Sequence, residues 1–443
     1  MDTDEVLLKQ AVAVLKKNDQ KLYTSPAGNL YPHQWLWDSC FTAIGLRHCD
    51  VDRAQAELRS LLRGQWTNGM LPNMIFSEAV MYTQDRNVWR SHLSISAPDA
   101  VSTTGITQPP MLAEAIVRVG EKLKKAERRT WYASMYPALV SYHQWLYRER
   151  DPKQSGLTLQ IHPYETGLDS TPPWLDQLHK HHRPWWASFL EATKLVNVVN
   201  LVRRDTRHVP PGQRMDNIDA LLYYDVIRKI RSKHYEASRV LKKSQFAIQD
   251  VTFNSIFVRA NDHLVAIAEL LNRDIPEELM ENIQKSRLAL EQLWDSYSEQ
   301  YYSKNFATSK LIRVPSIGTL MPLYAGSIPK ERAEKLVAML HKENMFDSAF
   351  PVASVPIGAK EFSELRYWQG PTWINANWLI ADGLSRYGFN KEAKHIRDSS
   401  IELVRQSGCY EYFSAIDGTA AGAEDFSWTA ALIIDFCANR KDR

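Results

Sequence analysis

The chain has 443 residues, of which 44% are hydrophobic and 24% charged, and its formal net charge is +3. These values are typical of a globular protein, and the small basic excess gives no reason to expect a nucleic-acid partner. The four cysteines lack the paired spacing of a zinc site, and no run of about 18 apolar residues predicts a membrane span. The N-terminus is acidic, unlike the start of a signal peptide, so we expect a cytoplasmic protein. We also expect no metal and no cofactor.

Helical periodicity dominates the chain from end to end. Apolar residues recur at helical spacing in about a dozen segments, and glycine is scarce, which favours helices over a strand-built fold. The segments are 5–17, 51–64, 110–125, 129–149, 187–204, 216–233, 255–272, 276–300, 329–343, 371–387, 391–407 and 425–439. Asp50 and Asp425 stand at the heads of two of these segments, where an N-cap is wanted. Strand signals are few and short, and residues 157–161 and 311–314 are candidates.

Trp- and Pro-rich segments recur between the predicted helices. A bundle, an α-solenoid and a closed helical barrel are all compatible with this pattern. The loop lengths favour a closed all-α barrel whose loops build a site on one face. No linker rich in Pro, Gly or Ser divides the chain, so we expect one domain over residues 1–443. The long loops at about 65–110, 150–186 and 301–328 are expected to form a cap over the site.

The first candidate site segment is 30–38, where two indoles precede a carboxylate. Trp35, Trp37 and Asp38 form a combination that suits a sugar, because the carboxylate accepts hydrogen bonds from hydroxyl groups while the rings pack on C–H faces. The alternative is the edge of a Trp-rich core, with Asp38 as a helix cap.

The second segment, 161–174, contains two acids four residues apart, Glu165 and Asp169. Gly167 lies between them, and the prolines that follow are expected to stop any helix. Apolar neighbours such as Trp174 would raise the pKa of a carboxyl group here, as a general acid requires. The alternative is a surface loop with solvated acids.

Two further segments lie towards the C-terminus. Residues 366–378 contain three tryptophans around Gly370, which permits close approach to a ligand, and Pro371, which suits a first helical turn. In 409–413 the alternation around Glu411 predicts a short strand with the carboxylate on a sheltered face. The alternative there is an exposed strand with a solvated Glu.

A run of histidines at 179–182 looks like a metal cluster. Adjacent side chains point apart, however, and no acidic partner at suitable spacing accompanies them. We therefore predict no metal site.

Taken together, these segments resemble the inverting glycosidases of glycoside hydrolase family 63. The likeness is strongest to the short branch that hydrolyses mannosylglycerate and glucosylglycerate. The matching stretches run in the family's order over about 400 residues and are 31–38, 69–73, 104–110, 165–169, 367–371, 411–413 and 427–431.

The resemblance implies an (α/α)6 barrel with Asp169 as general acid and Glu411 as general base. It places Trp37, Asp38, Gln108, Glu165, Trp368, Gly370 and Trp373 around the sugar, and Tyr31, Tyr82, Tyr367 and Arg203 near a carboxylate-bearing aglycone. We add Trp35, Tyr164 and Gly167, which lie in the same segments, as candidate substrate-binding residues.

Three departures from the family's pattern concern the aglycone. Tyr164 stands where the family usually has Trp, Gln369 where it has Arg, and Phe426 where it often has a Gln that helps to bind glycerate. Loss of polar groups there indicates that recognition of glycerate is altered or absent.

We therefore expect an inverting hydrolase that cleaves an α-linked glucosyl or mannosyl unit from a small, glycerate-type aglycone. One alternative is an α-glucosidase that acts on oligosaccharide ends. Another is a sugar epimerase, for which His33 and His162 are the candidate acid and base. The last is a non-catalytic sugar-binding protein, in which Asp169 and Glu411 need not face one cavity.

Overall fold

The structure, a computed structural model, describes residues 3–28, 30–181, 184–193, 203, 205–242, 244 and 246–441, and is mostly helical. The helices are α1 Thr3–Lys17, α2 Leu36–Leu46, α3 Val51–Leu61, α4 Thr83–Trp89, α5 Leu112–Gly120, α6 Lys125–Arg150, α7 Pro172–His181, α8 Trp185–Ala192, α9 Asp205–His208, α10 Asn217–Arg231, α11 Ala237–Leu241, α12 Val251–Leu271, α13 Glu277–Ala289, α14 Pro322–Ala325, α15 Lys330–Met339, α16 Ile374–Arg386, α17 Asn390–Ser407 and α18 Ser427–Lys441. The strands have two residues each: β1 Gln34–Trp35, β2 Met74–Ile75, β3 Ile248–Gln249, β4 Trp294–Asp295, β5 Gln300–Tyr301, β6 Lys304–Asn305, β7 Tyr412–Phe413 and β8 Ala420–Ala421.

Six helices form a closed inner ring. Taken in the order α2, α5, α12, α14, α16 and α18, each helix packs against the next, and α18 packs against α2. Helices α1, α3, α6, α13, α15 and α17 alternate with them along the chain; α3, for example, packs on α2 and α5, and α17 on α16 and α18. The architecture is therefore an (α/α)6 barrel, as predicted, and not an open solenoid, whose terminal repeats do not meet.

The inner helices are apolar around most of their circumference, which is the pattern of a helix buried on all sides. All the residues of α2 are buried, including its polar ones. Helices α2 and α18 pack so closely that a Cβ atom on Gly45 would lie 2.3 Å from the carbonyl oxygen of Ala431. A side chain at position 45 would therefore force the two ends of the chain apart.

The segments that precede the inner helices meet at one end of the barrel, because each outer helix returns the chain to that end. The segments before α2, α5, α16 and α18 all contribute to one cavity there. Short antiparallel pairings hold them in register. Strand β1 pairs with β2 through Gln34 and Ile75, β7 pairs with β8 through Tyr412 and Ala421, and Thr372 bridges to Phe413.

A second, smaller hydrophobic core lies beside the core of the ring. The three long loops contribute to it, for instance through Phe76, Trp174 and Ile312, and α10 contributes Tyr223 and Ile227. Helix α10 also packs against α4 and α8. We call the region around this second core the cap. It comprises the described residues of 74–89, 159–178 and 215–248, together with Ile312.

Several local predictions were wrong. Segments 157–161 and 311–314 are not strands and form only single bridges, from Gln160 to Ile248 and from Leu311 to Lys304. Prolines do not prevent a helix after Asp169, because Pro172 and Pro173 occupy the first turn of α7, where proline is tolerated. The helix predicted for 276–300 ends at Ala289 and is followed by the β4–β5 hairpin.

The predicted N-caps had different outcomes. The Asp50 side chain accepts the Arg53 amide and caps α3 as expected. Asp425 instead pairs with Lys17 at 2.6 Å and does not cap α18, which begins at Ser427. The helix predicted for 187–204 is seen as α8 up to Ala192, and residues 194–202 lie outside the described part of the chain.

Within the described residues, no helix combines the length and the apolar character that a membrane crossing requires.

Candidate active site

Two adjoining cavities open at the loop-bearing end of the ring. The inner cavity is lined by Pro26, Tyr31, Trp35, Trp37, Asp38, Gln108, Gly167, Asp169, Tyr367, Trp368, Glu411, Phe426 and Trp428. The outer cavity lies between the ring and the cap and is lined by Tyr31, Trp35, Asp169 and Tyr367 again, together with His33, Asp85, Tyr164, Arg203, Asp205, Arg214, Tyr224 and apolar neighbours. The shared residues mark the junction of the two cavities.

Asp169 lies at this junction and is half-buried. Burial raises its pKa well above the ordinary value, and the nearby carboxyl groups of Asp38 and Glu411 raise it further. The Tyr367 hydroxyl lies 3.4 Å from Oδ2 and acts in the opposite direction, because a hydrogen bond stabilises the ionised form. Asp169 is thus placed to hold a proton at a pH where an exposed Asp has lost it.

Glu411 immediately precedes β7 and is almost completely buried, with 1% of its surface exposed. Its two oxygens accept four hydrogen bonds. Oε1 accepts from the Tyr31 hydroxyl at 2.9 Å and from Arg214 Nη1 at 3.2 Å. Oε2 accepts from Arg214 Nη2 and from the Ala423 amide, both at 2.9 Å. The carboxylate therefore faces the inner cavity in a fully hydrogen-bonded state, and not as the solvated Glu of an exposed strand.

Asp38 supplies a third carboxyl group from the first turn of α2. Burial raises its pKa well above the ordinary value, and Glu411 adds a repulsive contribution. The inner cavity thus contains two carboxyl groups that favour the protonated form beside one that is held by a guanidinium. Such a set supplies proton donors and acceptors to hydroxyl groups and to a reacting bond.

Aromatic rings form most of the remaining wall. Trp368 stacks face to face on Trp373, with the ring centroids 3.9 Å apart, and Trp37 meets Trp428 edge to face. The Trp37 amide donates to Gln108 Oε1 at 3.3 Å, which fixes the Gln108 side chain at the cavity wall. Flat apolar walls with a few fixed polar groups are suited to a sugar ring.

Arg203 and Arg214 both line the outer cavity, but they differ in their remaining hydrogen-bonding capacity. Arg203 pairs with Asp205 through two bonds of 3.0 and 2.5 Å and also donates to the Met215 carbonyl and to Asn217. Its guanidinium is therefore engaged in holding this segment together. Arg214 pairs with Glu411, and its buried Nε has no acceptor among the described residues.

Four residues predicted to bind substrate do not line either cavity. Trp373 supports Trp368 from behind, and Tyr82 packs edge to face on His33. Gly370 is required for packing, because a Cβ atom there would lie 2.2 Å from the Ser363 carbonyl oxygen. Gly370 thus approaches the protein backbone closely, and not a ligand. The neighbouring Pro371 lies before α16 and not in its first turn, where we had predicted it.

Glu165 is the fourth predicted substrate-binding residue that lines neither cavity. It is completely buried and accepts hydrogen bonds from Arg150 at 2.9 Å, from the Thr107 amide at 3.2 Å and from the Ile161 amide at 2.7 Å. These bonds join the loop before α5 to the loop that carries Asp169. Glu165 therefore positions Asp169 within this arrangement.

Sequence reasoning missed Arg214 and Trp428 as cavity residues. Arg214 follows a Pro-Pro-Gly turn in a segment without periodicity, so only the turn composition marked it as a structured loop. Phe426, noted as a departure from the family pattern, lies in the inner cavity and meets the Tyr31 ring edge to face at 5.9 Å.

No group of three or more His, Cys, Asp or Glu side chains in the described ranges is arranged to hold a metal ion. Within the histidine run, His179 bonds to Asp219, and His182 lies outside the described residues.

Comparison with known proteins identifies relatives among the glycoside hydrolases. Residues 31–429 match the profile of the family described as the mannosylglycerate hydrolase MGH1-like glycoside hydrolase domain. Mannosylglycerate hydrolase of Thermus thermophilus is 35% identical, and the alignment covers 96% of this chain and 99% of the relative. Glucosylglycerate hydrolase of Mycolicibacterium hassiacum is 28% identical, with 98% of each chain covered.

A solved structure is also similar over its whole length. The glycoside hydrolase family 63 mannosylglycerate hydrolase from Thermus thermophilus, crystallised with Tris and D-glycerate, superposes with a TM-score of 0.87 at 34% identity. The alignment covers 97% of this chain and 100% of that one.

Substitution of Gly167 by Ala is expected to lower activity without unfolding the protein. Gly167 has a φ of +75°, and an added Cβ atom would lie 2.6 Å from the Trp37 ring. The backbone strain costs about 1–2 kcal/mol, and relief of the contact moves the nearby Asp169. An ångström-scale displacement of a reacting group lowers kcat/KM by about 10²-fold.

Gly326→Ala is the matched control. Gly326 also has a positive φ, but it lies at the end of α14, where the nearest atom to an added Cβ is 3.5 Å away. It should lose melting temperature and retain kcat/KM. Equal losses of activity in the two variants would show that strain alone, and not the geometry around Asp169, explains the effect.

Proposed function

This chain belongs to the MGH1-like glycoside hydrolase family, and we propose that it hydrolyses the α-glycosidic bond between a mannosyl or glucosyl unit and a small acidic aglycone of the glycerate type. The observation that carries the proposal is the common cavity of Asp169 and Glu411, which opens past Asp169 into a second cavity lined by Arg214. The relatives named for mannosylglycerate and glucosylglycerate support the same substrate class.

The reaction proceeds by single displacement with inversion. Asp169 donates its proton to the glycosidic oxygen as the bond to the sugar breaks, and Glu411 takes a proton from the water that attacks the opposite face of the sugar. The raised pKa of Asp169 suits it to the acid role, because the group must be protonated before the leaving oxygen departs. Glu411, which lines the same inner cavity, is the base.

The sugar occupies the inner cavity. Asp38 and Gln108 form hydrogen bonds with the hydroxyl groups of the sugar, while Trp37 and Trp368 pack on its apolar faces. Glu165 acts on the substrate only through the position of the Asp169 loop.

The aglycone occupies the outer cavity, between Tyr31, Tyr367 and Arg214. We assign recognition of its carboxylate to Arg214 rather than to Arg203. Four of the five Arg203 N–H donors are engaged within its own segment, whereas Arg214 donates two hydrogen bonds to Glu411 and its Nε has no acceptor among the described residues. Phe426 lines the inner cavity and packs on the Tyr31 ring at the junction with the outer cavity, so it offers the aglycone no hydrogen bond there.

Epimerase chemistry is not favoured by the two histidines that it would use. His162 is buried and accepts the Tyr164 amide, and its other ring nitrogen meets the Tyr223 carbonyl; burial lowers its pKa to about 3. His33 bonds to Asp85 and to the Ser77 amide. Neither histidine lines the inner cavity.

The test of the proposed function is hydrolysis of a panel of α-glycosides. Mannosylglycerate and glucosylglycerate should be cleaved with kcat/KM at least about tenfold above the neutral mannosyl- and glucosylglycerols, since a charged hydrogen-bonded pair contributes roughly 1.5–3 kcal/mol. The anomeric form of the released sugar, followed by NMR, should be β. Cleavage of α-glucobioses alone would transfer the assignment to an α-glucosidase, and release of the α-anomer would exclude inversion.

Asp169→Asn and Glu411→Gln should each lower kcat by about 10²-fold or more, because each removes one partner of the proton transfers. The fold should persist, as judged by circular dichroism and melting temperature. Glu402→Gln, which removes an exposed carboxylate on α17, is the control and should retain full activity. Wild-type rates in either of the first two variants would reject the assigned roles.

The pH dependence should identify Asp169 as the acid. Activity requires its protonated form, so kcat/KM falls as the pH rises through its raised pKa. The Tyr367 hydroxyl holds that pKa down, and Tyr367→Phe should therefore move the alkaline limb of the profile to higher pH. Tyr410→Phe, which removes a hydroxyl bonded to Glu424, should leave the limb unchanged. A limb that stays in place or moves to lower pH in Tyr367→Phe would contradict the assignment.

A further inference from the structure

All the hydrogen-bond acceptor sites of the Glu411 carboxylate are occupied. An ionised carboxylate has about four lone-pair sites on its two oxygens. Tyr31, the Ala423 amide and the two terminal nitrogens of Arg214 fill them at 2.9–3.2 Å. Glu411 in this state has no site left for the hydrogen of an attacking water.

One of the donors must therefore leave before Glu411 can act as a base. The Ala423 amide is fixed, because Ala423 and Glu411 are also joined through the Glu411 amide and the Ala423 carbonyl at 2.9 Å. The Tyr31 hydroxyl belongs to the segment that leads into the rigid inner helix α2. Arg214 is the donor that can be withdrawn, since it reaches Glu411 with a long side chain from a loop on the cap side.

Withdrawal of Arg214 is costly unless another anion replaces Glu411. The guanidinium is buried, with 3% of its side chain exposed, and it lies over the rings of Tyr31 and Tyr367 at 5.6 and 5.0 Å. A buried charge that loses its ion-pair partner is strongly destabilised. A neutral group in the outer cavity offers no compensation, whereas a carboxylate there takes up the guanidinium, including the Nε that has no acceptor among the described residues.

We propose that Arg214 is a specificity-determining residue that occupies Glu411 until a carboxylate in the outer cavity takes over its guanidinium, so that hydrolysis depends on an acidic aglycone. The inference rests on the proposed function, because it assigns the displacing carboxylate to the substrate. Once Arg214 has moved, Glu411 keeps Tyr31 and Ala423 as orienting donors and gains a free site for the water. Binding of the correct aglycone thereby activates the base.

The loop that carries Arg214 is attached to the hairpin that carries Glu411. The Tyr412 hydroxyl donates to the Gln213 carbonyl at 2.5 Å, and the Gly422 amide donates to Gln213 Oε1 at 3.0 Å. These bonds hold the Arg214 backbone beside Glu411 while leaving its side chain able to rotate towards the outer cavity. Loss of the Gln213 side chain should weaken the hold on Glu411 without removing the guanidinium.

The decisive experiment uses α-mannosyl fluoride and α-glucosyl fluoride, whose small leaving group leaves the outer cavity empty. Release of fluoride is measured with an ion-selective electrode, with and without D-glycerate or glycolate, and with glycerol or ethylene glycol as neutral counterparts. In the wild-type chain the two carboxylates should raise kcat by about tenfold or more, as expected if Arg214 occupies Glu411 in at least nine of ten molecules. The neutral diol and triol should have no effect.

Variants connect this effect to Arg214. Arg214→Gln should cleave the fluoride without added anion at about the rate of the activated wild type, and added glycerate should change nothing. Gln213→Ala, which retains the guanidinium, should show a smaller rise in basal rate and still respond to glycerate. Arg313→Gln removes another two-bond Arg–carboxylate pair, with Asp295, outside both cavities, and should match the wild type with and without glycerate.

The outcomes separate this inference from the proposed function. If the glycosylglycerates are cleaved but carboxylates do not accelerate, or instead inhibit, cleavage of the fluorides, the role of Arg214 is overturned and the proposed function stands. The same conclusion follows if Arg214→Gln is slower than the wild type on the fluoride without anion. If the fluorides show the anion dependence but no glycosylglycerate is cleaved, the aglycone assignment is wrong and the role of Arg214 stands.

Discussion

The contact between α2 and α18 closes the ring, and the position of every group in the inner cavity depends on it. Gly45 and the Ala431 backbone allow the two helices to approach within a distance that excludes any side chain at position 45. Asp38 lies in the first turn of one of these helices and Glu411 precedes the other, so closure brings carboxyl groups from opposite ends of the chain into one cavity. The loop with Asp169, held by Glu165, completes the set from the middle of the chain.

Three ionised carboxyl groups in one buried cavity would repel one another, and two features of the structure reduce this repulsion. Asp38 and Asp169 favour their neutral forms, because burial and the neighbouring charges raise their pKa values. Glu411 remains paired with a cation, Arg214. The division assigns different chemistry to like groups, since a proton donor and a proton acceptor are needed at the same pH. In the mechanism that we propose, this difference in environment separates the acid from the base.

The sequence was sufficient to predict the fold and to mark the segments of Asp169 and Glu411, which line one cavity, but not to predict all the residues around that cavity. Apolar periodicity reveals a helix because burial repeats every turn, and Asp169 and Glu411 stand in recognisable segments. Arg214 belongs to neither category, since its contact with Glu411 crosses from a loop to a hairpin remote in sequence. Gly370 was predicted to line the site but instead packs against the Ser363 backbone. This tertiary contact is not encoded in any local sequence pattern.

The two cavities are built on separate hydrophobic cores. The inner cavity is formed mainly by segments that lead into the ring helices, whereas Met215, Ala220 and Ile227 bring the core of the cap to the wall of the outer cavity. Variation in the cap core can therefore reshape the outer cavity, where we place the leaving group, while the packing of the ring is unchanged. In a scaffold of this kind, substitutions in the cap core can change the preference for the leaving group. The preference for the sugar then stays the same, because it depends on the ring.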